Sequence, residues 1–294
     1  MRGLGLRALL IATIALALAT GCTSLVSVDQ YSFDVDPCPP QLRECEGGRE
    51  IAFVVRSSDV ARADSVGRRE GFDLDGTDAP ICGQRDLGAP DGRTAIDNQM
   101  AGILELYEDI AGVNIREDAE AQILAGSGIQ LVVLSHVDDL EQDDCVEVTQ
   151  RTGVFPEGVT SADVDADGDG LLDPGLTFDY LPARGHDASA CVIDGVVHAR
   201  FPPVVDTLSG TSIEATVDRG RLRMPITPEG SAGAVLGGSI RISELTSLPP
   251  AVIEFLRPRA DLDPSSLTTR DCSSISFGVL LDLVPCTLGE RRAL

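Results

Sequence analysis

Residues 191–201 read CVIDGVVHARF, and residues 212–226 read SIEATVDRGRLRMPI. In the first stretch Asp194-Gly195 stands between two short apolar runs. Such a pair adopts the positive φ values of a tight hairpin turn, so two paired strands are expected here. In the second stretch Ile213, Ala215 and Val217, then Leu222, Met224 and Ile226, alternate with polar residues. A period of two places one set of side chains on one face of a strand. Asp218-Arg219-Gly220 reads as the turn between the halves. Arg219, Arg221 and Arg223 would then share the opposite face. That face reads as solvated, with an anionic-ligand site as the alternative.

The same grammar extends in both directions. Ile51–Arg56 (IAFVVR) and Ile129–Leu134 (IQLVVL) are short apolar runs of the buried-strand type. AVLGGSIRI, 234–242, is another strand, and its paired glycines predict a bend or bulge. SISFGVLLDLV, 274–284, is the last. Between the first two lie Met100, Ile103, Leu104, Tyr107 and Ile110 at helical spacing, stopped by Gly112 and started by a cap at Asp97 or Asn98. A second short helix fits 117–125, and a third lies near 250–257. Several strands joined by tight turns, with few helices, predict a mainly β (α+β) fold. Its body would be an antiparallel β-sandwich or barrel, a single domain over 49–294.

The N-terminus is different in kind. MRGLGLRALLIATIALALATGC has Arg2 and Arg7 ahead of an apolar run from Ala8 to Ala19. The run is too short to span a bilayer, which needs roughly 20 apolar residues. A basic start followed by a short apolar core is the pattern of a secretory signal. Ala19-Thr20-Gly21-Cys22 resembles the bacterial lipobox, with Ala19 where Leu is preferred. That resemblance implies cleavage after residue 21 and covalent lipid on Cys22. The rival is an ordinary cleaved signal followed by a disulfide cysteine. Thr23, not Asp, follows the cysteine; by resemblance to the sorting rule of such proteins, this implies the outer membrane. Residues 22–48, polar and containing Pro37, Pro39 and Pro40, read as the lipidated tether.

Composition narrows function. The chain carries 47 acidic and 23 basic residues, a net charge of −24, and loss of Arg2 and Arg7 makes it −26. Such a surface repels nucleic-acid phosphates and suits cations. All the basic residues are arginine. A Gly-Lys-Ser/Thr phosphate loop, a Ser-x-x-Lys site and a Schiff-base lysine are therefore excluded. There is no Trp and there are three Tyr, which disfavours the flat aromatic platforms of sugar binding. Gly-x-Ser-x-Gly and His-Glu-x-x-His are absent. His136, His186 and His198 are far apart and read as structural. No catalytic residue is assigned. A hydrolase working with a carboxylate pair is the alternative, and a ligand-carrying barrel, marked by a closed apolar cavity, is a third.

Eight cysteines suit an oxidising compartment. With Cys22 lipidated, seven remain. The short-loop pairings are Cys38–Cys45 and Cys272–Cys286; Cys82–Cys145 would bridge two acidic segments and leave Cys191 free. Spacing alone does not fix the connectivity.

Acidic loops carry the chemistry. DVDADGDGLLD, 163–173, holds five aspartates in eleven residues. Counting from Asp165, the acids Asp165, Asp167 and Asp169 fall at positions 1, 3 and 5, Gly170 at 6, Leu171 at 7 and Asp173 at 9. Alternate carboxylates and the Leu171 carbonyl could converge on a hard cation such as calcium. Position 12 is Leu176 and the flanks are not helical, unlike an EF-hand. A weak site, roughly 10⁻⁴–10⁻³ M, is expected, with Asp163 a spare ligand. The rival is an Asp-Gly turn without an ion. A second candidate gathers Asp73, Asp75, Asp78, Asp91 and Asp97 from the loops of 71–99. Asp138, Asp139, Glu141, Asp143 and Asp144 read as a solvated loop.

Over about a dozen residues the 163–173 stretch resembles the DxDxDG calcium loops of thrombospondin type 3 repeats and dockerins. GFDLDG, PDGRTAIDNQ, VDDLEQDDC and DADGDGLLD, in that order over residues 70–285, resemble a family of bacterial outer-membrane lipoproteins. This implies that the acidic segments belong to one domain and brings no activity with it. The expectation is a lipid-anchored outer-membrane protein of structural or binding type. It has calcium-stabilised loops, no nucleic-acid partner, and a ligand or protein partner the sequence does not specify.

Overall fold

The computed structural model describes residues 37–38, 45–76, 82–182, 187–207, 214–245, 250–262 and 272–293. Cys22, Asp78, His186 and most of the expected tether lie outside them.

Ten strands form. They are β1 (Arg49–Val60), β2 (Gln130–Val137), β3 (Gln142–Val154), β4 (Thr177–Tyr180), β5 (Asp187–Ile193), β6 (Val196–Arg200), β7 (Val204–Thr207), β8 (Glu214–Pro225), β9 (Ser231–Arg241) and β10 (Ser274–Arg291). Eight of them close a ring in the order β1-β2-β3-β5-β6-β8-β9-β10, and β10 returns to β1. Every pairing in the ring is antiparallel. The chain therefore winds an up-and-down barrel, with β4 and β7 as additions. Closure removes the exposed edges that an open sheet would present.

One girdle can be followed through the ladders. Leu134 faces Val148, which faces Ala188; Ala190 faces Ala199, which faces Leu222; Leu222 faces Leu236 and Val55 faces Leu283. These side chains belong to one contiguous apolar cluster with Phe53 and Met224. An eight-stranded barrel is just wide enough for side chains to fill. Its interior here is lined by these packed apolar side chains.

The hairpin at Asp194-Gly195 forms as expected, with φ of 50° and 75° joining β5 to β6. The turn expected at Asp218-Arg219-Gly220 does not. β8 runs straight through it and carries a bulge between Asp218 and Arg221. Arg219 adopts φ 56° there, so one extra residue is absorbed without reversing the chain. The paired glycines of β9 keep a regular register with β10. A Cβ on Gly237 would lie 2.8 Å from the Phe72 ring, and one on Gly238 would lie 2.9 Å from Val217. The bulge of β8 falls opposite them, between the Asp218–Ser239 and Arg221–Gly237 pairs, and the glycines also allow close approach on both faces. Gly237→Ala is expected to destabilise the fold by about 1–3 kcal/mol through overpacking, measured by urea unfolding; an unchanged midpoint would refute this contact.

Four α-helices among the described residues decorate the outside: α1 (Gln99–Ala111), α2 (Ile115–Leu124), α3 (Ser161–Val164) and α4 (Pro250–Leu256). Asn98, not Asp97, caps α1 by accepting from the Ala101 N–H, and Gly112 ends it in the left-handed region. α1 packs on β10 and α2 on β1. Buried Glu108 of α1 pairs with Arg62 and accepts from the Ile115 N–H, tying the two helices together.

The disulfides are Cys38–Cys191, Cys45–Cys145 and Cys82–Cys272, and Cys286 is free. All three expected pairings are thus wrong. Short sequence separation was the wrong guide, because these bonds span 100 to 190 residues and barrel closure brings their ends together. Two of them fasten Cys38 and Cys45, which lie inside the expected tether, to β5 and β3. Burial pushes the Cys286 thiol up to about 12, which leaves it protonated and inert.

Candidate cation sites on the barrel wall

Residues 71–76 and 82–98 lie across the outside of β8, β9 and β10. Phe72 and Leu74 pack with Val235 and Leu262, and Phe72 sits over Gly237. Antiparallel bridges Phe72–Asp97 and Leu87–Ile96 fold the segment back on itself. That folding brings GFDLDG against AIDN. The carboxylate oxygens of Asp73, Asp75 and Asp97 come within 4.8 Å of one another. Asp73 and Asp97 are buried.

The electrostatics of this group are severe. Burial first, then the carboxylates of Asp75 and Asp261, push Asp97 up to about 9, although its Oδ2 accepts a 2.6 Å bond from the Leu74 N–H. Asp261, also buried, is raised to about 6 by burial, against bonds from the Ser276 N–H and hydroxyl. Asp86 adds to the field on Asp97. Carboxyl groups this close and dry either hold protons or share a cation.

Asp91 does not join them. Burial opposes its charge, yet the guanidinium groups of Arg93 and Arg223 hold it down at about 2. Arg223 bonds both Asp91 Oδ2, at 2.7 Å, and Glu70 Oε2, at 2.6 Å, and Arg93 reaches the same two acids. Arg219 donates to the Leu74 carbonyl at 2.7 Å. The arginine face of β8 is therefore no solvated face. It anchors the acidic segment. Sequence reading included Asp91 because it counted acids, and missed Asp261 and Asp86. Arg93, two residues on, signalled the ion pair; no local signal marks Asp261, which arrives from the far end of the chain.

The second group is the 165–173 loop. Its neck is closed by the Asp173 N–H donating to the Val164 carbonyl at 2.9 Å, and Val164 and Leu172 are buried on either side. Gly168 and Gly170 take φ of 75° and 84°, which turns the loop sharply. The oxygens of Asp165, Asp167 and Asp169 come within 4.8 Å of one another. Asp173 stands apart from this triad: its Oδ2 accepts from the Ala166 N–H at 2.8 Å. The Leu171 N–H donates to Asp169. Asp163 is not a spare ligand. It accepts from the Thr160 hydroxyl and N–H in a capping box at α3, and these bonds lower its pKa.

The third acidic group forms no loop of its own length. Gln142–Val154 is strand β3, and Asp143 accepts from the N–H groups of Asp138, Asp139 and Cys145. With Asp138, Gln142, Asp144 and Cys191–Ile193 it lines an open pocket of about 500 Å³ on the β5 side. Cys145 pairs with Cys45 and not with Cys82, so no disulfide ties this group to the segment of Asp73, Asp75 and Asp97.

The fold and these two carboxylate triads define an up-and-down barrel with acidic loops outside it. No family model, curated protein or solved structure matches the chain.

Proposed function

We propose that this is a lipid-anchored outer-membrane protein of binding or structural type, whose acidic loops are pinned to a packed β-barrel by calcium. One observation carries the cation reading: Asp73, Asp75 and Asp97 converge within 4.8 Å while two of them are buried. A hard dication neutralises such a group with the oxygen donors it prefers. The Asp165, Asp167 and Asp169 triad, with Asp167 and Asp169 exposed, is the weaker, second position, matching the DxDxDG pattern without its bidentate acid. Three disulfides support an extracytoplasmic address. The lipobox-like Ala19-Thr20-Gly21-Cys22 supports covalent lipid at Cys22, and the acidic balance leaves no role for nucleic acid.

The test is calcium titration of the chain lacking residues 1–22, followed by calorimetry and melting temperature. At calcium ten- to a hundredfold above its dissociation constant, stability should rise by about 1.4–2.7 kcal/mol. Asp73→Asn/Asp75→Asn should remove most of the rise, and Asp167→Ala/Asp169→Ala a smaller part. No heat and no shift at ten millimolar calcium, on the order of ten times the weakest expected constant, would end the calcium reading. Palmitate labelling that persists in a Cys22→Ser chain would end the anchor reading.

A further inference from the structure

We infer that the buried carboxylate site takes a pair of calcium ions, the first among Asp73, Asp75 and Asp97 and the second between Asp97, Asp261 and the Ser274 hydroxyl. This pair rests on the calcium reading above, to which it adds a position.

Ser274 points to that position. It is 1% exposed, yet its Oγ has no hydrogen-bond partner in the structure. A hydroxyl buried without a partner is costly, and it calls for a ligand. Its direction is fixed by the backbone. Ser274 and Leu262 form an antiparallel bridge in which the N–H of each donates to the carbonyl of the other, at 3.1 and 3.2 Å. Residues directly opposed in such a bridge share a face, and the Leu262 side chain packs there with Phe72 and Leu74. The Ser274 hydroxyl is thus aimed into the layer that holds Asp73, Asp75 and Asp97. Ser276, two residues along β10 and on the same face, donates its own hydroxyl to Asp261.

Asp261 belongs to that layer and not to the triad. It is buried, its charge acts on Asp97, and the charge of Asp75 acts on it. Oxygens that share one calcium ion, at about 2.3–2.6 Å each, lie within about 5 Å of one another. Those of Asp73, Asp75 and Asp97 meet that limit, within 4.8 Å, and Asp261 is not among them. The bonds that Asp261 accepts come from the neutral N–H and hydroxyl of Ser276, and no arginine is among the groups that act on it or on Asp97. One ion in the triad therefore leaves a buried carboxylate beside it. A second ion gives that carboxylate a counter-charge and the Ser274 oxygen a partner, both of the hard donor type calcium takes. Paired dications sit about 3.5–4 Å apart, and Asp97 stands between the two positions.

The test counts ions. The full chain carrying Asp167→Ala/Asp169→Ala, which removes the exposed loop from the count, is dialysed against calcium at the lowest concentration that saturates it. About two ions per chain are expected. Asp261→Asn or Ser274→Ala, added singly, should bring the count to about one while the far-ultraviolet spectrum holds. A single ion before and after both substitutions overturns the second position and leaves the first standing. No ion at all ends the calcium reading and the pair with it. A pair that survives both substitutions overturns the assignment to Asp261 and Ser274. Anomalous diffraction from calcium-soaked crystals of the native chain needs no variant to fold. It should show two peaks beside Asp97, one of them next to Asp261, and a lone peak within the triad overturns the pair equally.

Discussion

In calcium-free buffer the protein is expected to lose stability as pH rises from about 4 to about 9, and Asp97→Asn is expected to abolish most of that slope. Asp97 is held up at about 9 by burial and by the carboxylates of Asp75 and Asp261. In the unfolded chain an aspartate titrates near 4. Between those limits the folded state keeps a proton that the unfolded state has released, so each step up in pH favours unfolding. Asp261, raised to about 6, adds to the loss over the lower part of the same window. The full shift corresponds to about 7 kcal/mol. For a chain of this size that is a fall in melting temperature of roughly 14–28 °C. The asparagine keeps an oxygen for the Leu74 N–H and carries no titrating proton. It should therefore melt higher than the native chain at pH 8 and almost equally at pH 4. Millimolar calcium should flatten the native slope, because the ion stabilises the ionised carboxylates that the proton otherwise neutralises. Thermal melts at pH 5, 7 and 9, with chelator and with calcium, check each arm. A native melting temperature that is level from pH 5 to 9 in chelator, or a variant that falls as steeply, would count against a protonated Asp97.

Local chemistry made part of this molecule readable and non-local chemistry hid the rest. Asp194-Gly195 announced its hairpin because only residues that accept positive φ serve there. Asn98 and Gly112 marked the ends of α1 for similar reasons. β3 was hidden by its own acids: Asp143 and Asp144 open it, and Val146 and Val148 are the inward residues that reveal it as a strand. Arg219 misled in the other direction, since a bulge and a turn share residue types and differ only in whether the partner strand continues. The ring closure of β1 on β10 joins residues more than two hundred positions apart, such as Ala52 and Cys286. No periodicity records that. The disulfides follow closure, so their pairing was as hidden as closure itself.

The site divides in the same way. Asp73, Asp75 and Asp97 could be grouped from sequence because they sit in two short motifs of one segment. Asp165, Asp167 and Asp169 could be grouped because their spacing is local. Asp261 joins the first group only because Ser276 of β10 holds its carboxylate, and that strand reaches the site through the barrel. The distinction between Asp91, which arginines neutralise, and Asp97, which carboxylates surround, is likewise tertiary. Both are exposed-looking acids in the sequence, and their pKa values separate to about 2 and about 9.

Phe178→Ala is expected to lower stability by about 3–5 kcal/mol, and to do so by loosening the wall that carries the 165–173 loop. Phe178 lies on β4, which bridges β3 at Gly153 and Val154 to the tail of β10 at Thr287 and Leu288. It is wholly buried in the main cluster, with the Phe155 ring 5.9 Å from its own. Val54, Leu131 and Val284, which alternate with the barrel-facing residues of β1, β2 and β10, belong to the same cluster, as do Val164 and Leu172 at the neck of the acidic loop. Removing the ring leaves a cavity among residues that the ladders hold in place, so little collapse can offset the loss. At 2–4 °C per kcal/mol the melting temperature should fall by roughly 6–20 °C. Phe178→Leu keeps most of the volume and should recover the larger part. The same cavity should weaken protection at the Asp173 N–H, which closes the loop neck on Val164, before it weakens the girdle of Leu134, Val148 and Ala188. Hydrogen exchange that quickens first in the girdle would place Phe178 in the barrel's own core and not in the wall beneath the loop.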